Sequence, residues 1–156
     1  RRQFRLSDAV IPNYERDCFR YVPGHEAGWF NDAAAESLSS LSFILTNLSN
    51  RTGARLSGEP LRLHHHQEML STAVVPGTMQ VSADGQLLVL LADAQTAGGY
   101  PRIGQLVAPD IGLLAQQKPG SNLRFKVVSR EEAEALCLTQ QQAFEQLRKD
   151  FSLYFS

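Results

Sequence analysis

A chain of 156 residues with 43% hydrophobic and 20% charged content can bury one sizeable core, so a single globular domain is expected. The formal charge of −1, with no Lys/Arg block, excludes the phosphate-tracking electrostatics of a nucleic-acid binder and the basic face of a membrane-surface protein. The longest apolar runs, such as Leu87 to Ala92, fall far short of the ~20 residues a membrane span needs, and no basic-then-apolar segment opens the chain. A cytoplasmic location is the resulting expectation.

In chain order, Arg1 in place of a Met and the run Arg1 to Ser7 read as the middle of a longer polypeptide, with residues 1–20 a linker from a preceding half. Phe30 to Ser40 opens on the capping residues Asn31 and Asp32 and continues with Ala33, Ala34, Ala35 and Glu36, which predicts a short helix. Ser42 to Leu48 and Ala54 to Leu56, punctuated by Ser49, Asn50 and Gly53, predict two strands around a turn. Gly58, Pro60 and the polar run His64 to Glu68 read as an exposed connection. Thr78 to Ser82 and Gln86 to Ala92 flank Asp84-Gly85, a hairpin signal. Ile103 to Val107 is a further strand, Asp110 is expected to cap a short helix through Gln116, and Pro119-Gly120 is a turn before the alternating Leu123, Phe125 and Val127. Ser129 with Glu132 forms a capping box, and Ala133, Leu136, Ala143, Phe144, Leu147 and Phe151 share a stripe, which predicts an amphipathic helix over 130–150. Short strands with Gly/Pro turns and few helices predict a mainly-β barrel or sandwich with peripheral helices.

Cys18 and Cys137 lack the close pairing of a metal knuckle or redox dithiol and read as reduced thiols. The triplet His64-His65-His66 reads as polar loop, because adjacent side chains point in different directions and do not converge on one ion. No metal ligand is assigned in this chain.

The most unusual stretch is Ala92 to Arg102, which follows the apolar strand Leu87 to Leu91 directly. Gly98 and Gly99 permit positive φ or close backbone approach, Pro101 biases Tyr100 towards extended geometry, and Gln95, Thr96, Tyr100 and Arg102 supply donors. Such a loop can grip a polar ligand. It can equally be a tight connection between strands, with Tyr100 packed and Arg102 solvated. It is neither a Walker loop nor a dinucleotide-binding glycine turn.

Val74-Val75-Pro76-Gly77-Thr78-Met79-Gln80-Val81, Asp84-Gly85-Gln86, Leu90-Leu91-Ala92-Asp93 and Gln95 to Pro101 follow one another in an order that resembles the allophanate hydrolase subunit 2 family. Ser49 to Gly58 is similar to the family's Ser-Asp-Arg-x-Gly-x-Arg-Leu-x-Gly segment, with Asn50 in place of the Asp. Ala94 and Ala97 replace a commonly basic and a commonly hydroxylated position of the glycine motif. The resemblance spans roughly Val22 to Glu134. It implies a cyclophilin-like β-barrel over 1–156 that forms the C-terminal half of a longer chain.

The resemblance also implies a function, since the family includes the C components of 5-oxoprolinases. These take part in ATP-dependent opening of 5-oxoproline to glutamate. Their site is shared with a B-type partner of the allophanate hydrolase subunit 1 family, and a separate A-type component takes part as well. ATP and Mg²⁺ are then the expected cofactors. Under that reading Arg51, Gln95, Tyr100 and Arg102 are the candidate catalytic residues, and Arg55, Gln80, Thr96, Gly98, Gly99 and Pro101 the candidate substrate- or ATP-binding residues. Two other readings fit the same pattern. One is a carboxyltransferase module of a biotin-dependent urea carboxylase, in which biotin replaces ATP as the relevant cofactor. The other is a non-catalytic partner that sequesters an inhibitor of a sensor kinase.

Overall fold

The computed structural model describes residues 12–65 and 67–155. Nine strands are present: β1 (Cys18–Pro23), β2 (Ser42–Leu45), β3 (Gly53–Ser57), β4 (Thr72–Ala73), β5 (Thr78–Val81), β6 (Leu87–Leu90), β7 (Ala97–Gly98), β8 (Arg102–Leu106) and β9 (Asn122–Val127). Three helices accompany them, α1 (Asp32–Ser40), α2 (Ala108–Ala115) and α3 (Arg130–Phe155), with one 3-10 turn at Ala27–Trp29. Seven strands close a barrel in the order β1-β8-β5-β6-β3-β2-β9, and the remaining two, β4 and β7, pair with each other outside it. All neighbours in the barrel are antiparallel except β9 and β1, which are parallel and complete the closure. Closure removes the unpaired sheet edges that strands this short would otherwise expose. The mainly-β barrel with peripheral helices expected from the sequence is the architecture found.

Along β1, β2 and β9 buried side chains alternate with more exposed ones, as the pleat requires, whereas β5 is buried on both faces. Phe19 and Tyr21 from β1, Phe43 and Leu45 from β2, Met79 and Val81 from β5, Leu87 and Val89 from β6, and Leu123 and Phe125 from β9 meet in one core. Phe125 is its hub, edge-on to Phe43 at 5.9 Å and tilted against Phe19 at 6.3 Å between ring centroids. The β5–β6 hairpin turns at Gly85, whose φ of +87° favours a residue without a Cβ. In α1 the Asn31 side chain accepts a 2.8 Å hydrogen bond from the Ala34 N–H, the cap read from the sequence.

Asp110 departs from expectation. Val107 is the N-cap residue of α2, and Asp110 lies inside the first turn with its carboxylate wholly buried. It accepts from the Arg20 backbone N–H at 2.7 Å and from the Arg20 guanidinium at 3.0 and 2.5 Å, with Arg16 at 3.4 Å. The side chain therefore ties α2 to β1 instead of capping its own helix, because a buried arginine pair satisfies more of its lone pairs than one backbone N–H can. In α3, Ser129 accepts from the Glu132 N–H at 3.1 Å. The helix packs on α2 and β1 and leaves Phe144 61% exposed.

Arg1 to Ser7 and His66 lie outside the described residues, and Cys18 to Arg20 already belong to β1.

Candidate functional site

The loop after β6 leaves the barrel at Leu91 and returns at Pro101, so it runs along the outside of β5 from one end of β6 to the other. The Leu91 N–H donates to Thr52 O at 3.1 Å at the first end, and the Val81 N–H donates to Pro101 O at 3.1 Å at the second. Between them β7 pairs with β4, Thr72 opposite Gly98 and Ala73 opposite Ala97, and forms a short strap. The strap covers Gln80. On β5 the core takes Met79 and Val81, which leaves Gln80 on the opposite face, and yet Gln80 is 0% exposed. Its Nε2 donates to Tyr100 O at 3.1 Å, clamping the strap to the barrel. Gly98 is required by this contact, since a Cβ there would lie 2.6 Å from Gln80 Nε2. Of the two glycine properties expected, close approach operates at Gly98, and neither Gly98 nor Gly99 has positive φ.

Arg102, the first residue of β8, is held by Glu26, which is 3% exposed. The Glu26 carboxylate accepts from the Arg102 Nε at 2.6 Å, the Nη2 at 2.5 Å and the backbone N–H at 3.1 Å. These bonds hold the Glu26 carboxyl below its ordinary range and raise the Arg102 guanidinium, against the opposing effect of burial on each. Arg51 has a different environment. It pairs with Asp93 at 2.8 Å, but its side chain is 85% exposed and that of Asp93 46%. The pair sits in water and is readily exchanged. Asn50 accepts from the Thr52 N–H at 2.8 Å and the Thr52 hydroxyl at 2.6 Å, a local turn that needs only an acceptor, and so the amide serves where the family has a carboxylate. Arg55, Gln95 and Thr96 are exposed.

The predicted residues do not converge on one point. Gly99, Tyr100 and Pro101 line a cavity of about 590 Å³ whose apolar bed includes Phe30, Leu61, Met69 and Val81. Arg51 lines a separate cavity of about 440 Å³ near Leu45, Leu91 and Leu114. The two sit at opposite ends of β6, roughly 13 Å apart along the strand at ~3.3 Å per residue. Arg102 faces neither. Three contributors were not read from the sequence: Glu26, and the cavity-lining Arg62 and Glu68. Glu26 is 76 residues from its partner, a separation no local pattern reveals. Arg62 and Glu68 border the histidine run, and their charge in a polar stretch was the only available signal.

Residues 2–127 match the model of the carboxyltransferase domain, subdomain A and B. The chain belongs to this family. Among the carboxyltransferase-domain proteins it is 37% identical over 145 residues to the C subunit of the Haemophilus influenzae 5-oxoprolinase, covering 93% of this chain and 47% of that one. It is 41% identical over 128 residues to the C subunit of the Escherichia coli 5-oxoprolinase, covering 82% and 41%. The chain thus spans less than half the length of these relatives. Its barrel superposes on the crystal structure of the K. lactis urea amidolyase with a TM-score of 0.82 at 16% identity, over 90% of this chain and 9% of that protein, which is a likeness of fold. The resemblance carried by Ser49 to Pro101 is therefore borne out at the level of the family. Among the described residues no helix is long and apolar enough to cross a membrane.

Proposed function

We propose that this chain is part of a 5-oxoprolinase C subunit, where it supplies one wall of a site at which the lactam of 5-oxoproline is opened with consumption of ATP. The observation that carries the reading is the 37–41% identity, over 82–93% of this chain, to two proteins named as C subunits of 5-oxoprolinases. The geometry agrees with it. The glycine motif walls a cavity of small-molecule size, with an apolar bed for ring methylenes and a few polar groups at its margin.

ATP, when bound, supplies the phosphoryl group that activates the amide carbonyl towards hydrolysis. What this chain contributes is positioning. Gln80 fixes the Tyr100 carbonyl, Gly98 lets the strap lie against Gln80, and Glu26 anchors Arg102 just after Pro101, so that Tyr100 and Pro101 form a stiff wall. Tyr100 is 45% exposed, and its hydroxyl can donate to a substrate oxygen.

The fit to the cofactors is uneven. No group of three His, Cys, Asp or Glu that could hold a metal occurs among the described residues, and Asp93 and Glu26 are engaged by arginines. No step is routed through Mg²⁺ on this chain. Arg51 can exchange Asp93 for a phosphate, yet it is a strand length from Tyr100 and is not placed to neutralise charge at the lactam.

The test is to assemble the full-length protein with its A-type and B-type counterparts and follow glutamate release from 5-oxoproline. ATP-dependent, biotin-independent release is expected. A loss of activity with avidin would transfer the assignment to a urea carboxylase. A stable complex with the B-type protein that never turns over, beside an active control assembly, would leave the sequestering role in its place.

A further inference from the structure

The cavity beside Tyr100 is lined by two side chains of opposite charge, Arg62 and Glu68, that are not used on each other. Among the described residues Arg16, Arg20, Arg51, Arg102, Arg124 and Arg130 each have a carboxylate partner within 4.0 Å. Arg55, Arg62 and Arg148 are outside these pairs, and of the three only Arg62 lines the cavity walled by the glycine motif. Glu68 has neither an ion-pair nor a hydrogen-bond partner among the described residues. A surface that pairs most of its arginines leaves one cation and one anion free on the same cavity.

We infer that Arg62 and Glu68 together read the edge of a small molecule in which a carboxylate is attached to the carbon next to an N–H donor. The guanidinium fork matches a carboxylate through two parallel hydrogen bonds, which an ammonium does not reproduce. The Glu68 carboxylate is an acceptor for the adjacent N–H. Phe30, Leu61 and Met69 bed the carbon skeleton, and Tyr100 in the same lining has a hydroxyl for a substrate oxygen. Filling the cavity expels water, and both charged contacts strengthen as the local dielectric falls. The inference rests on the proposed function and deepens it, because 5-oxoproline carries this edge: its carboxylate is on the carbon bonded to the lactam nitrogen. Arg62 and Glu68 are thus specificity-determining residues: the carboxylate that Arg62 reads is unchanged while the lactam C–N bond breaks, and the N–H that Glu68 accepts from belongs to the nitrogen that leaves as the amine.

The experiment measures equilibrium binding and steady-state turnover by the full-length protein assembled with its partner proteins, as wild type, Arg62→Gln, Arg62→Lys and Glu68→Gln. Losing a charge-assisted contact is expected to weaken 5-oxoproline binding by ~10- to 100-fold in Arg62→Gln, with Arg62→Lys between it and wild type. The change is expected in KM, with kcat nearly unaltered, because the contact is the same in ground and transition states. Binding of 2-pyrrolidone, which lacks the carboxylate, should be equal in wild type and Arg62→Gln, and the exposed substitution should leave the melting temperature unchanged. If wild type forms glutamate and Arg62→Gln keeps the wild-type KM, the inference is wrong and the proposed function stands. If wild type binds 5-oxoproline in an Arg62-dependent way but never opens it, the proposed function is wrong and the inference stands. If wild type does neither, both fall. An Arg62→Gln defect confined to ADP binding would also overturn the inference, since the arginine would then read phosphate.

Discussion

At the scale of single residues, the two arginines of the predicted site behave differently because their surroundings differ. Arg102 is 22% exposed against a carboxylate that is 4% exposed, whereas Arg51 is 85% exposed against one that is 46% exposed. Breaking a buried pair leaves a charge without water or partner, and a screened surface pair is worth little. Arg102→Ala should therefore lower stability by ~3 kcal/mol or more, and Arg51→Ala by under ~1 kcal/mol, as measured by urea unfolding. Glu26 adds a pH dependence. Its folded pKa is depressed, so its contribution is fully present above the ordinary carboxylate range and is lost as pH falls through the lower folded value. Glu26→Gln should flatten the acid limb of the stability profile, and an unchanged limb would show that Arg102 does not stabilise the ionised carboxyl. Gly98 poses a steric question. A methyl group at position 98 must displace the Gln80 amide from the Tyr100 carbonyl, so Gly98→Ala should cost ~1–3 kcal/mol. In Gln80→Ala the same substitution should cost distinctly less, and strictly additive effects in that double-mutant cycle would refute the clamp.

At the scale of elements, the α2–β1 junction depends on one carboxylate. Asp110 receives the Arg20 guanidinium, and the two segments are 90 residues apart in the chain. Asp110→Ala should destabilise by ~3–5 kcal/mol, since it strands Arg20 in a half-buried position. The helix α3 packs on α2 and β1, and Phe144 on it is 61% exposed. Phe144→Ser should change the stability of this chain by less than ~0.5 kcal/mol, measured by thermal unfolding. A larger loss would mean that the stripe read from the sequence is covered by something else in the folded protein.

At the scale of the molecule, seven strands form a closed, mutually supporting unit while β4 and β7 stand outside it with two residues each. Amide exchange should follow this division, the strap around 72–73 and 97–98 opening well before β3, β5 and β6. Much of the barrel was legible in advance. The Asp84-Gly85 hairpin, the Asn31 cap and the alternation through Leu123 and Phe125 are local signals, set by the backbone preferences of a few neighbouring residues. The family, too, was legible, because its linked motifs lie in the sequence itself. Where the motif residues point was not. Arg51 and Tyr100 read as one site along the chain, yet β6 holds them at opposite ends. Asp110 reads as a cap until Arg20 is brought beside it, and Arg62 and Glu68 read as ordinary surface charge until the loop around them is laid against Tyr100. Strand period and turn chemistry are properties of residues a few positions apart, and so they are written in the chain. Pairing of charges and the walls of a cavity depend on residues 20 to 90 positions apart, and only closure of the barrel decides which of them meet.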